Sequence, residues 1–184
     1  MADAIARLVP FGFDLLDIGC GDGRVGAEVA RLRPDLTIAG AEILPRKDCS
    51  IPVTAFDGRR LPFADGQFGA ALIVDVLHHT EDPAVLLREA VRVAREAVVL
   101  KDHFCENRLD RATLRFMDKV SNRRHGVALS NNYLSRTQWE QLWGDCHLSV
   151  EASDRLPCLY PFPANLVFGR RLHFIARLRK TEVG

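Results

Sequence analysis

Most features that would assign this chain at once to a specialised class are scarce or missing. Lysine is rare: Lys47, Lys101, Lys119 and Lys180 are the only four among 25 basic residues. Net charge is +1, so the basic excess of a dedicated nucleic-acid binder is missing. Long apolar runs are missing too. The longest uncharged stretch, Leu156–Gly169, has 14 residues and is broken by Pro157, Pro161 and Pro163. That is too short and too interrupted to cross a bilayer. Five cysteines, Cys20, Cys49, Cys105, Cys146 and Cys158, are odd in number, and no pair has the CxxC spacing of a zinc or redox site. Met1–Leu8 lacks the basic start and apolar core of a secretory signal. A reduced cytoplasmic protein is expected, with no membrane and no nucleic-acid partner.

What remains is an ordinary globular composition, 47% apolar and 27% charged over 184 residues. One domain spanning 1–184 accounts for that length. Strand-like and helix-like segments alternate, which predicts a parallel α/β sheet. Strands are expected at Phe13–Ile18, Leu36–Ala41, Pro52–Phe56, Phe68–Val74, Ala97–Leu100, His147–Ser153 and Leu172–Leu178. Helices are expected at Asp22–Arg33, from Asp82 to about Arg95, and at Thr137–Asp145. A further helix around Leu109–Val120 would place Leu109, Ala112, Phe116, Met117 and Val120 on an apolar face, with Arg111, Arg115, Asp118 and Lys119 opposite. Trp139 and Trp143 are four residues apart on one helical face, as packing residues would be.

The strongest local signal is Leu15-Leu16-Asp17-Ile18-Gly19-Cys20-Gly21-Asp22-Gly23. A strand ends in three alternating glycines and a helix begins. Glycines allow a sharp turn and a close backbone approach to a ligand, and the helix start offers free N–H groups. By itself the motif is ambiguous, since Gly21-Asp22-Gly23-Arg24-Val25-Gly26 also satisfies a nicotinamide-binding fingerprint. Further features accompany it. Glu42 ends the second strand, Asp57-Gly58 follows the third, and Leu61-Pro62-Phe63-Ala64-Asp65-Gly66-Gln67-Phe68 leads into the fourth. Asp75-Val76-Leu77-His78-His79 closes that strand.

With this set assembled, the sequence resembles class I S-adenosylmethionine-dependent methyltransferases, in particular the small-molecule branch called methyltransferase type 11. The resemblance runs from Leu15 to about Asp102. It implies a doubly wound, Rossmann-like seven-stranded sheet with an antiparallel last strand and helices on both faces. It implies that Asp17, Gly19 and Gly21 line the methionine part of S-adenosylmethionine, though Asp17 could instead only organise the glycine turn. Glu42 would hold the ribose diol and Ile43 would lie against the adenine. Asp57 would take the adenine amino group, the Gly58 N–H a ring nitrogen, and Asp75 and Leu77 would border the methionine and methyl group. Asp65 and Asp82 read as turn and cap residues.

Methyl transfer from a sulfonium needs near-attack positioning, and a base only where the acceptor must lose a proton. The fourth strand ends in Asp75-Val76-Leu77-His78 rather than the Asn/Asp-Pro-Pro-aromatic signature of nucleic-acid amino methyltransferases. A small-molecule acceptor is therefore expected. His103, after Lys101-Asp102, is the first candidate base and His79 the second; packing roles for the histidines stay open. No HExxH pattern or closely spaced histidine trio is present, and no metal is expected. The segment 104–135 is expected to cover the acceptor site. Its Arg108, Arg111, Arg115, Arg123 and Arg124 suit either a solvated face or an anionic acceptor, with Asn131, Asn132 and Tyr133 as added polar groups. Two other readings compete: a nicotinamide oxidoreductase, and a non-catalytic methyltransferase-like scaffold or regulatory subunit. The acceptor's identity and the oligomeric state are not legible.

Overall fold

A strand covered on both faces needs apolar residues at every position, and Phe68–Val74 supplies them. In the computed structural model, which describes residues 1–121, 132–154, 156, 160, 162, 164–169 and 172–181, this segment is the middle strand of seven. The strands are β1 (Asp14–Ile18), β2 (Thr37–Glu42), β3 (Val53–Ala55), β4 (Phe68–Val74), β5 (Ala94–His103), β6 (Leu148–Asp154) and β7 (His173–Lys180). Their order is β3-β2-β1-β4-β5-β7-β6. Strands β1 to β5 pair in parallel, and β7 runs antiparallel to both β5 and β6. Six strands therefore share one direction and the last opposes them, as the resemblance implied.

Helices α1 (Ala2–Leu8), α2 (Arg24–Leu32), α3 (Pro83–Val93), α4 (Arg108–Ser121), α5 (Arg136–Asp145) and α6 (Ala164–Phe168) accompany the sheet. Strand alternation divides the core in two. Leu16, Ile18, Ala71, Ile73, Val98 and Leu100 face a cluster with α3, α5, Trp139 and Trp143. Leu15, Ala70, Leu72, Val99 and Ile175 face the other, with Ile5 and Leu8 of α1 and Val29 of α2. The tryptophans are packing residues, as their spacing suggests. Helix α3 starts as expected: Asp82 Oδ1 accepts from the Ala84 N–H (2.9 Å) and Pro83 occupies the first turn. Helix α5 opens on a capping box between Ser135 and Gln138.

Three expectations need correction. Strand β5 is longer at both ends than Ala97–Leu100, because its polar end finds buried partners. The stretch before β1 contains a helix that the sequence pattern did not announce. Helix α4 turns differently from its hydrophobic pattern: Leu109, Phe116 and Val120 are exposed, while Thr113, Leu114 and Asp118 are buried. Asp118 is buried because its partners lie beneath the helix. The uncharged stretch Leu156–Gly169 contains α6; Arg123, Arg124 and Asn131, expected near the acceptor site, lie outside the described residues.

Helix α1 is only seven residues long, too short to be stable alone. Arg33 holds its end. Its guanidinium donates to the carbonyls of Ala6 (2.7 Å), Val9 (2.9 Å) and Pro10 (3.1 Å) and forms a two-bond pair with Asp35. Arg33→Ala leaves these buried carbonyls unsatisfied and should cost about 2–4 kcal/mol in urea unfolding. A loss of less than about 0.5 kcal/mol would mean that apolar packing alone seats α1.

Candidate functional site

The strand order reverses between β1 and β4, so a crevice opens at their carboxyl ends. The glycine loop forms one wall. Gly19, Gly21 and Gly23 all have positive φ (72°, 59° and 74°). A Cβ at Gly19 would come within 2.6 Å of Val76, and one at Gly23 within 2.8 Å of Ile51. Those two glycines are required by the protein's own packing. A Cβ at Gly21 would meet nothing within 4 Å, so Gly21 faces open space. Glu42 reaches back across the crevice: its Oε2 accepts from the Gly21 N–H and its Oε1 from the Ile43 N–H, both at 2.8 Å.

Strand β3 brings the next pair alongside. Glu42 is in register with Ala55, and the Phe56 N–H donates to the Glu42 carbonyl (3.2 Å). Asp57 is exposed, and its Oδ1 accepts from the N–H groups of Arg59 (2.8 Å) and Arg60 (2.7 Å). Those bonds, Arg60's first, hold its carboxyl below the usual range. Gly58 has φ 81°, and a Cβ there would lie 2.9 Å from Ile43. Ile43 is 54% exposed, an apolar side chain on the rim of a polar crevice. The loop 61–67 is pinned from behind by Arg92, which donates to the carbonyls of Leu61 and Phe63 and pairs with Glu89 and Asp65. Asp65 is thus a fold residue.

Asp17 is 2% exposed, and its Oδ2 has no hydrogen-bond partner. Burial, then the nearby Glu42 charge, pushes its carboxyl up to about 7. Burial likewise pushes the Cys20 thiol up to about 12, with Asp17 and Glu42 adding to the effect. The thiol stays protonated and is a poor nucleophile.

The second half of the site lies at the ends of β4 and β5. Asp75 holds a left-handed backbone (φ 56°), uncommon for a non-glycine residue. Its carboxylate pairs with the buried Lys101 ammonium at 2.5 and 2.6 Å. Leu77–His79 form a short 3-10 turn. Leu77 has 0% exposure and its side chain belongs to the core, so only its backbone can border a ligand. His78 Nδ1 lies 2.6 Å from Asp102 Oδ1, and His78 Nε2 lies 3.8 Å from Asp118 Oδ1. Burial alone would lower the His78 pKa, but the charge of Asp102, the hydrogen bond to it and the nearby Asp118 push it up to about 10. His79 goes the other way, lowered by burial and by the His78 charge. His103 Nδ1 lies 3.3 Å from Asp102 Oδ1 and 3.5 Å from Asp75 Oδ1, and the Trp139 indole N–H donates to the His103 carbonyl (2.8 Å).

These groups line a cavity of about 520 Å³. Asp75, His78, His79, Lys101 and His103 form its polar side, together with Asp118 of α4. Phe116, Met117 and Val120 of α4, with Tyr160, Ala164 and Phe168, form the apolar side. Arg108, Arg111 and Arg115 are exposed and do not line it. Sequence reasoning missed Asp118, and it offered Tyr133 only as a polar group for the acceptor, whereas the Tyr133 hydroxyl donates to the Asp118 carboxylate. Helical periodicity assigned Asp118 to solvent, and no motif joins it to His78.

With the geometry in place, resemblance to known proteins can be weighed. Residues 16–100 match the family model described as a methyltransferase domain. That match spans a little under half of the chain, and the chain as a whole has the fold of class I methyltransferases. The 27-O-demethylrifamycin SV methyltransferase of Amycolatopsis mediterranei is 28% identical over 110 residues, 52% of this chain and 40% of that protein. The chain thus covers well under half the length of that relative. A Haloferax volcanii protein solved with the Trm112 methyltransferase activator superposes with a TM-score of 0.72 at 14% identity, covering 98% and 88% of the two chains. The 1,6-didemethyltoxoflavin-N1-methyltransferase of Burkholderia thailandensis, solved with 1,6-didemethyltoxoflavin and S-adenosylhomocysteine, gives 0.69 at 16% identity, covering 98% and 76%. At these identities the likeness is one of fold. Among the described residues, no helix is long and apolar enough to cross a membrane.

The crevice has features that suit S-adenosylmethionine, the cofactor of the matched family. Gly21 leaves room, Glu42 and Asp57 offer acceptor oxygens, and Ile43 offers an apolar face. Asp17 carries a pH signature. Folded, it keeps its proton from about pH 4 to about pH 7, where the unfolded chain has lost it. Stability should therefore fall as pH rises through that window, by up to about 4 kcal/mol. Asp17→Asn should abolish this component in urea unfolding at pH 5 and pH 8. A variant whose stability tracks the wild type at both pH values would contradict the assignment.

Proposed function

We propose that this chain transfers a methyl group from S-adenosylmethionine to a small-molecule acceptor. One observation carries the reading: Glu42 is held against the open, positive-φ Gly21, with Asp57 and Gly58 beside it across β2 and β3. Glu42 keeps lone pairs for a ribose diol while its backbone bonds fix its rotamer. Asp57 has one oxygen engaged by backbone and one left for an exocyclic amine. Ile43 and Gly58 supply the flat, narrow space that an adenine needs. Gly19, the Asp17 carbonyl and the backbone of Asp75 and Leu77 would border the methionine part.

When bound, the cofactor supplies an electrophilic methyl on a positively charged sulfur. The acceptor would enter the cavity beneath α4, whose size suits a small molecule. The apolar side, Phe116, Met117, Val120 and Phe168, would exclude water and hold an apolar body, with α4 as the cover; residues 122–131 of the expected covering segment lie outside the described residues. Asp102 and Asp75 engage His103 at Nδ1, leaving Nε2 as the ring nitrogen to take a proton from the acceptor. His79, kept neutral by burial and the His78 charge, is the second candidate. With Lys101 already paired and the described arginines outside the cavity, a neutral hydroxyl or amine suits this site better than an anion. The rifamycin and toxoflavin methyltransferases act on small molecules by name, which supports the acceptor class.

Glu42→Ala should weaken S-adenosylhomocysteine binding by about 1.5–3 kcal/mol in calorimetry, roughly ten- to hundredfold, with the domain still folded by circular dichroism. Asp57→Ala should weaken it as well. Unaltered affinity in both variants would overturn the cofactor assignment. Against a panel of hydroxyl- and amine-bearing acceptors, His103→Ala should lose turnover while keeping cofactor affinity. Near-normal turnover in both His103→Ala and His79→Ala would show that positioning alone carries the reaction.

A further inference from the structure

The proton-transfer role given first to His103 leaves His78 and Asp118 without a chemical task and His79 with only a second claim to one, although all three line the cavity. One nitrogen from each ring and one Asp118 oxygen lie within 4.8 Å of one another. The two rings are adjacent, with centroids 4.0 Å apart. His78 Nε2 and Asp118 Oδ1 are 3.8 Å apart, against the roughly 3.3 Å expected between ligands of one tetrahedral ion. Closing that gap needs about half an ångström.

We propose that His78, His79 and Asp118 form a divalent transition-metal site that opens onto the acceptor cavity.

The surroundings match such a site. A ligating histidine commonly donates its other ring nitrogen to a carboxylate, which fixes its orientation. Asp102 does this for His78 at 2.6 Å. A ligating carboxylate is in turn hydrogen-bonded, and the Tyr133 hydroxyl donates to Asp118 Oδ2, on the oxygen away from His78. His79 Nδ1 is buried with no hydrogen-bond partner, a cost that a ligand nearby would offset. Three protein ligands facing a cavity leave a coordination position open, the pattern of a reactive rather than a purely structural site. Two imidazoles and one carboxylate suit zinc, iron(II) or cobalt(II) better than magnesium or calcium, which prefer all-oxygen sets. The neighbouring group of Asp75, His78, Asp102 and His103 is a poorer choice, because the Lys101 ammonium already sits on Asp75. An oxygen of water or of an acceptor hydroxyl would take the open position.

The site is independent of the methyltransferase reading, and metal binding can be measured without turnover. The full chain, stripped with a chelator, is titrated with Co²⁺ and Zn²⁺. The expected result is one Co²⁺ per chain with visible d–d absorption, displaced by Zn²⁺, and a Zn²⁺-dependent rise in melting temperature. His79→Ala and Asp118→Asn should each lose the absorption and the thermal shift. Tyr133→Phe, which removes only the outer hydrogen bond, should weaken binding by about tenfold or more. Cys49→Ser, which removes the half-exposed thiol, should change nothing. Circular dichroism of each metal-free variant checks its fold, and His79→Gln replaces His79→Ala should the latter unfold. Absence of saturable binding at micromolar Co²⁺ would overturn the proposal. So would binding that survives both His79→Ala and Asp118→Asn, or that disappears in Cys49→Ser. S-adenosylhomocysteine binding by the metal-free chain, measured alongside, separates this failure from failure of the methyltransferase reading.

Discussion

Ionised groups cannot be buried at the end of a parallel sheet unless each one finds a counter-charge, and this requirement organises the site. Lys101 and Asp102 are adjacent in β5 and almost fully buried, at 3% and 0% exposure. Each would carry a desolvation penalty of several kcal/mol if left alone. Lys101 is matched by Asp75, which adopts a left-handed backbone at the end of β4. Asp102 is matched by His78, which in turn lies near Asp118 of α4. The chain of pairings ties β4, β5, the 3-10 turn and α4 into one assembly.

The same requirement explains the position of α4 beside the cavity. Helix α4 presents Asp118 to the sheet, and Tyr133 reaches back to bond it. Backbone bonds continue the attachment: the Asn132 N–H donates to the His78 carbonyl, and the Cys105 N–H to the Leu134 carbonyl. Exposed Phe116 and Val120 contribute to the cavity's apolar side, and Phe116 stacks on Phe168 of α6 at 6.0 Å between centroids. A polar inner attachment combined with an apolar lining lets one helix meet a charged strand end and enclose an apolar space.

The two halves of the crevice rely on different physics. On the β1, β2 and β3 side, backbone geometry dominates: positive-φ glycines, a carboxylate held by N–H groups, and room where a side chain is missing. On the β4 and β5 side, side-chain charge and burial dominate: two carboxylates raise His78 against its burial, while burial and then the first ring's charge lower His79. The class I methyltransferase fold brings both halves to one edge because its strand order reverses between β1 and β4.

While the antiparallel last strand came with the family resemblance, the sequence by itself announced the strands of the sheet and the glycine loop with Glu42 and Asp57. Those features are local: apolar runs, turn glycines and strand-end carboxylates stand at fixed short spacings, so a linear reading can find them. It also brought Lys101-Asp102-His103 and His78-His79 to notice, as polar residues where strands end. Only the tertiary structure decided how those residues pair, that Leu77 turns into the core, and that Asp118 turns inward. Helical periodicity alone sent Asp118 to solvent and buried Phe116. Their placement depends on what lies beneath α4, namely a histidine forty residues earlier in the chain and a tyrosine fifteen residues later. A buried charge is positioned by its partner, and the partner becomes known only when the chain has folded back upon itself.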